Sequence, residues 1–235
     1  MTTINLGGSA SVQINSSSSG SIKTYTNLAM HHLFAASRSA GRVRQIEKDN
    51  ELAPFGPFWD EILHNSLAIA ALTVASLEGF ANELYFENSA LVLSLNPAAT
   101  EIIAAMIDKE KILTKYDLVL ALLSGKRMPC DRCVVQNVHA LIKLRNSALH
   151  FRPEFLSAQD KHDKLSRQLV HKFELSRFVS PHEPLFPRAW ASGSFAVWAL
   201  KSTVDFLDYF YHEVKVTSPV ERIRADLSDY AGADI

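Results

Sequence analysis

The stretch Leu63-His-Asn-Ser-Leu-Ala-Ile-Ala-Ala-Leu-Thr-Val-Ala-Ser-Leu-Glu-Gly-Phe-Ala-Asn-Glu-Leu84 decides the fold class. Within it Leu63, Leu67, Ala70, Val74, Leu77, Ala81 and Leu84 are separated by steps of 4, 3, 4, 3, 4 and 3. A strand would alternate every second residue. Steps of three and four instead gather side chains on one face of a 3.6-residue turn, which predicts a long helix with an apolar seam, packed at a shallow angle as in a bundle. Pro57 suits the first turn of that helix, and the pattern ends near Asn88.

Working outward, the same periodicity returns on both sides. A helix begins at the cap residue Asn27 and runs through Leu28, Leu33, Arg42, Val43 and Ile46 to about Lys48. Pro54, Gly56 and Pro57 make Glu51–Pro57 a loop. Two shorter helices, Pro97–Asp108 and Lys109–Ser124, break at Gly125. A helix over Asp131–Phe151 is ended by Pro153, and another covers Ala158–Phe173. His182–Pro187 is a proline-rich loop. Ser194–Val214 is a strong helix built on Phe195, Trp198, Val204, Leu207 and Phe210, and Ser218–Tyr230 gives a short terminal one. Helix after helix with short connections predicts an all-α helical bundle over residues 26–235. Residues 1–25 differ: Gly7, Gly8 and the Ser16–Gly20 run frame weak alternation in Ser11–Asn15 and Ser21–Thr26, as in an irregular, flexible arm or a β-hairpin.

Composition bounds the function. Of 235 residues 47% are apolar, enough for a full core without a disulfide or metal staple. Formal net charge is -1, from 24 basic and 25 acidic residues, so no cationic face dominates the whole molecule, though a local basic pocket remains open. Two cysteines, the absence of a basic-then-apolar leader and the absence of an apolar run of about 18 residues predict a cytoplasmic protein with no membrane segment.

Chemistry concentrates in Leu141-Ile-Lys-Leu-Arg-Asn-Ser-Ala-Leu-His150. Val138, Leu141, Ile142 and Leu149 mark the apolar face of its helix, and Arg145 falls inside that face, four residues from both Leu141 and Leu149. A buried guanidinium without an anion is too costly to keep, so Arg145 must meet one or line a cleft. Asn146 and His150 are four apart and project one turn from each other. Pro153 puts His150 near the negative end of the helix dipole, which favours imidazolium. Glu78, one residue past Leu77 in the long helix, and Asn82 one turn later are the expected supporting partners of Arg145. A guanidinium, an amide and an imidazole fit phosphodiester chemistry: the fork matches phosphate oxygens, and the imidazole exchanges protons with a ribose 2′-hydroxyl or a leaving 5′-oxygen. One histidine does not readily act as acid and base in one step; two copies across a two-fold axis would. A structural Arg145–Glu78 pair stays open beside this reading.

Other patterns carry less. Cys130-Asp-Arg-Cys133 has zinc-knuckle spacing but no second pair, so neither a metal nor a cofactor is expected. The neighbours His31 and His32 face different directions on a helix. Ser76 and Ser147 lack a nucleophile turn, and no glycine-rich phosphate loop is present. Phe206, Tyr209, Phe210 and Tyr211 read as core or interface, and Lys161–Lys172, with both charge signs, as a solvated face with room for RNA contact.

Arg145-Asn-Ser-Ala-Leu-His150 resembles the Arg-(Asn)-x-x-x-His signature of the HEPN superfamily, named for higher eukaryote and prokaryote nucleotide-binding domains. Ser76-Leu-Glu-Gly-Phe-Ala-Asn-Glu-Leu-Tyr85 is similar to the Leu-Glu-Ala-Phe-x-Asn-Glu segment of several bacterial HEPN groups, and Trp198–Tyr211 to their closing helix. The similarity spans roughly Ala29 to Val214. It implies a HEPN-like bundle that dimerises with two signatures facing one cleft, and a metal-independent endoribonuclease leaving a 2′,3′-cyclic phosphate. Such proteins serve as toxins, phage-defence effectors or RNA-processing enzymes, with RNA as substrate and, in the toxin case, an antitoxin or regulatory partner. Carried over, His150 is the acid/base, Arg145 steadies the scissile phosphate, Asn146 positions it, and Glu78 supports. Some HEPN proteins are non-catalytic dimerisation, interaction or nucleotide-binding modules, which is the alternative.

Overall fold

A computed structural model of the chain describes residues 2–5, 10–14, 22–86, 89–152 and 162–235; before Thr26 it describes the backbone alone. The first element is an antiparallel meander rather than a two-stranded hairpin. Strand β1 (Thr2–Asn5) pairs with β2 (Ala10–Ile14), and β2 with β3 (Ile22–Thr26), in the registers Thr2 opposite Ile14 and Ala10 opposite Thr26. The expected alternation near Ser11–Asn15 and Ser21–Thr26 thus falls on β2 and β3, and β1 adds a third strand. The Gly7–Gly8 and Ser16–Gly20 segments lie outside the described residues.

The rest is predominantly helical, as the periodicity requires. Helix α1 covers Leu28–Asp49; the Asn27 side chain accepts the Ala29 N–H at 2.7 Å, the cap that the sequence indicated. Helix α2 covers Phe58–Glu83 behind Pro57, five residues short of the sequence expectation; Asn88 lies outside the described residues. A short helix that periodicity did not reveal, α3 (Ala90–Ser94), is capped by Ser89, whose hydroxyl accepts the Val92 N–H. Then follow α4 (Pro97–Ile107), α5 (Ile112–Ser124), α6 (Cys133–Leu149), α7 (Asp163–Leu169), α8 (Gly193–Glu213) and α9 (Arg224–Ala231). Gly125 closes α5 with φ of 69°, the left-handed conformation that glycine adopts freely. Pro153 and residues 158–161 lie outside the described residues, so α7 is described only from Asp163.

Helix α2 is the hub of the bundle: α1, α5, α6 and α8 all pack against it. Its buried arc, Ile62, Ser66, Ile69, Ala70, Thr73, Val74, Leu77, Phe80 and Ala81, is wider than the predicted seam. Leu63 and Leu67, two of the seam residues, are only half-buried, since the first half of α2 turns Ile62, Ser66 and Ile69 inward instead. By length and composition alone α2 is apolar enough to cross a membrane, contrary to the expectation that no segment would be. Its packed neighbours account for that apolarity: Leu77 and Phe80 are fully buried, each stabilising the fold by about 1.5–3 kcal/mol. Tight approach to α1 is secured by Gly79, where a Cβ would stand 2.9 Å from the Cβ of Ala29.

Helices α2 and α8 run in the same sense and α1 runs against them. At one end Glu47 of α1 accepts the Gly193 N–H of α8 at 2.9 Å, and Arg42 of α1 clasps Glu61 of α2. At the other, the buried ring of Tyr116 on α5 packs edge-on against Phe206 and Phe210 of α8 while its hydroxyl donates to the Leu77 carbonyl at 2.8 Å.

Candidate functional site

The direction of α6 decides where the signature residues lie. At its start the Arg132 guanidinium sits 4.9 Å from the ring centroid of Tyr209, in the last turns of α8. Beyond its end the ring of Phe151 packs 5.8 Å from that of Phe186, in the kinked segment Leu185–Ala189 that leads into α8. From the same segment Arg188 lies over Trp59 at the start of α2. Helix α6 is therefore antiparallel to both α2 and α8, and its C-terminal turn stands at the end where those two begin.

On that turn Arg145 is half-buried. Its Nε atom is sealed from solvent and has no hydrogen-bond partner, while Val138, Leu141 and Leu144 beside it are buried. The charge thus falls at the edge of the buried stripe, where the spacing had put it inside the apolar face. Asn146 is exposed. His150 is the C-cap residue of α6 and is exposed, with its backbone N–H donating to the Asn146 carbonyl at 3.0 Å. At about 100° per residue, His150, Asn146, Lys143 and His139 form one outward stripe, whereas Arg145 stands roughly 140° from His150 about the axis. Partial burial, with the neighbouring Lys143 charge second, pushes the His139 imidazole below its ordinary pKa.

The expected support from Glu78 and Asn82 is not delivered. Both belong to the end of α2 that meets the last turns of α8, where α6 starts. Arg145 is 12 residues from Cys133, so it is displaced along the axis by about 18 Å at 1.5 Å per residue. Among the described residues no ion pair or hydrogen bond joins Glu78 to Arg145; Glu78 is exposed to solvent. Asn82 serves another residue: its Oδ1 accepts from the ammonium of Lys115 at 2.8 Å, and Lys115 is 2% exposed. The sequence carried a signal for Lys115, since it sits three after Ile112 and four before Val119 on the buried arc of α5, the same kind of intrusion that singled out Arg145.

Two neighbouring features were not isolated from the sequence. Helix α7 packs on α6: Lys143 donates to Gln168 Oε1 at 3.1 Å and Lys172 to Asn137 Oδ1 at 2.5 Å. From Cys133 to Lys172 the chain has seven Lys or Arg against three Asp or Glu, so a chain of net charge -1 is locally basic around the signature. Apolar side chains also flank the imidazole in the open: Leu149 is 53% exposed and Phe151 41%.

Among the described residues no group of three His, Cys, Asp or Glu side chains gathers as a metal would require, and Cys130 and Cys133 are both free and exposed. Two cavities lie elsewhere. One of about 570 Å³ adjoins the start of α8 and is lined by Arg44, Glu47, Lys48 and Arg177; burial raises the Glu47 carboxyl above its usual range, against the lowering effect of the Gly193 N–H. Another of about 300 Å³ lies between the start of α1 and the end of α2. Neither is lined by Arg145, Asn146 or His150. No family model matches the chain, and comparisons with curated proteins and with solved structures return no match.

Proposed function

We propose that this protein is a HEPN-type, metal-independent RNA endonuclease that works as a homodimer. The observation that carries the reading is Arg145: a guanidinium with a sealed, unpartnered Nε, beside exposed Asn146 and His150 on one helix end within a basic stretch. A phosphate is the natural occupant for such a fork. Exposed Leu149 and Phe151 next to His150 supply apolar surface for a second copy to cover. Across a two-fold axis the two outward stripes would face each other, with an imidazole from each chain at one groove.

In this arrangement one His150 removes the 2′-hydroxyl proton as the oxygen attacks phosphorus. The partner's His150, protonated, hands a proton to the departing 5′-oxygen. The products are a 2′,3′-cyclic phosphate and a 5′-hydroxyl end, with the two imidazoles having exchanged protonation states. Arg145 balances charge growing on the equatorial phosphate oxygens, and Asn146 donates to one of them. A cytoplasmic toxin or phage-defence effector, restrained by an antitoxin or regulatory partner, fits that chemistry.

A non-catalytic HEPN interaction module is the second reading, favoured by the 140° divergence of Arg145 from His150 within one chain and by the distance of Glu78. The test is incubation of total RNA, in chelator, with wild type, His150→Ala and Arg145→Ala. Cleavage by wild type with cyclic-phosphate ends, and its loss in both variants, supports the nuclease. Cleavage unchanged in His150→Ala overturns it, and no cleavage by wild type transfers the case to the module.

A further inference from the structure

At the far end of the bundle from Arg145, the walls of the cavity of about 300 Å³ include Asn27, Leu28, Ala29, His32, Glu83 and Phe86, mainly apolar surface with a few polar groups. Glu83, in the last turn of α2, is the one carboxyl group in that lining. Among the described residues its hydrogen-bond partner is the Asn27 side chain, whose Oδ1 is already committed to the Ala29 N–H. The groups that face it from the other helices bring no free positive charge. Tyr116 of α5 and Tyr211 of α8 are neutral phenols whose own ionisation the Glu83 charge opposes, and the Lys115 ammonium is spent on Asn82 Oδ1. Burial pushes the Glu83 carboxyl up to about 7 for this reason. On the α1 side His32 presents a buried Nδ1 with no hydrogen-bond partner.

We infer that this cavity is a binding site for a small organic cation, with an amidinium, guanidinium or ammonium group seated on Glu83 and an apolar body against Leu28, Ala29 and Phe86. A carboxylate enclosed without a cation stays neutral or recruits one, and a cation bearing two N–H donors satisfies both of its oxygens. An apolar pocket with a small number of convergent polar groups is the common form of a ligand site.

The probe is benzamidine, with benzamide as its neutral isostere, titrated into the full chain by calorimetry. Binding at pH 8 should be at least tenfold tighter than at pH 5.5 and at least tenfold weaker in Glu83→Gln, with benzamide unbound. Amide resonances of Ala29 and Gly79 should shift on titration. An arm with N-acetylarginine amide separates two sources of the same chemistry: binding only benzamidine indicates a free aromatic cation, and binding only the arginine derivative indicates an arginine side chain offered by another chain. The inference is overturned if millimolar amounts of neither cation bind wild type at pH 8, if benzamide binds equally, or if Glu83→Gln and pH leave affinity unchanged. The pH series on wild type is decisive even where the variant folds poorly.

Discussion

The Arg132 guanidinium rests 4.9 Å from the ring centroid of Tyr209, which marks the start of α6 against the last turns of α8 and so leaves Arg145 at the opposite end of the bundle. Were α6 reversed, Arg145 would stand beside Glu78 and the two would form the buried pair that their spacing within each helix suggests. As it is, Arg145 stands at the end of the bundle where α2 begins, and Glu78 is exposed.

Glu78 and Asn82, one turn apart, should therefore respond differently to truncation. Glu78→Ala removes an exposed carboxylate with no partner among the described residues, so stability should move by no more than about 0.5 kcal/mol and, under the nuclease reading, RNA cleavage by less than twofold. Asn82→Ala strips the Lys115 ammonium of its acceptor in a site where Lys115 is 2% exposed; it should cost about 1–3 kcal/mol. Urea unfolding of the two variants checks this, and a large loss in Glu78→Ala would contradict the antiparallel placement of α6.

Arg145→Met separates a ligand-binding arginine from a structural one. The substitution keeps the aliphatic volume on the half-buried edge and removes a sealed Nε that has no partner. Stability should stay within about 1 kcal/mol of wild type or rise above it, whereas breaking a true buried ion pair costs about 3–5 kcal/mol. Under the nuclease reading, cleavage should vanish from this folded variant. Circular dichroism melts run beside the RNA assay give both readouts.

These cases show what a sequence of this kind discloses. Asn27 as a cap, Gly125 as a stop and the buried positions Ala70, Val74, Leu77 and Ala81 of α2 were legible because each depends on local backbone geometry or on one helical period; Ile62, Ser66, Ile69, Thr73 and Phe80, buried beside them, were not. The same period put Arg145 inside the apolar face, whereas it is half-buried at that face's edge. Periodicity assigns a side chain to a face but is silent on which helix will cover that face and in which sense, so the partnership with Glu78 could not be read. Helix α3 escaped because five residues are too few to show a period, and β1 because Thr2–Asn5 has no alternation strong enough to mark a third strand. Nothing in the sequence sets Glu83 apart from an ordinary helix-end acid, since the groups that interact with it, Asn27, Tyr116 and Tyr211, are distant in sequence.

Glu83 gives a pH dependence with a definite sign. Its folded value, about 7, lies above the ordinary 4.5 of a glutamate, and burial is the cause. The folded chain thus holds a proton that the unfolded chain has released between those two values. That contribution is complete below pH 4.5 and is lost as pH rises through 7, flattening above. Glu83→Gln cannot titrate, so it should match wild type near pH 4.5 and exceed it at pH 8 by as much as about 3 kcal/mol. Denaturant midpoints of both proteins across pH 4.5 to 8 measure the difference; a gap that narrows with rising pH would mean that Glu83 is not enclosed.

Leu149 tests whether the signature acts in pairs. Its side chain is 53% exposed at the end of α6, one residue from His150 and two from the 41% exposed Phe151. An apolar pair beside a polar stripe is costly to leave in water only if nothing covers it, and a second copy placed over it would bring the two imidazoles to one groove. Leu149→Glu puts a charge into that contact without touching the buried residues of α6, so the monomer should keep its stability to about 0.5 kcal/mol. Under the proposed homodimeric nuclease reading, sedimentation should show the dimer weakened at least tenfold. Cleavage at a protein concentration where wild type is dimeric should drop in proportion, and raising the variant's concentration should restore part of it, because each chain still carries Arg145, Asn146 and His150. A variant that remains dimeric, or a monomer that cuts as fast as wild type, would show that one copy holds the whole site or that the chains meet through a different face.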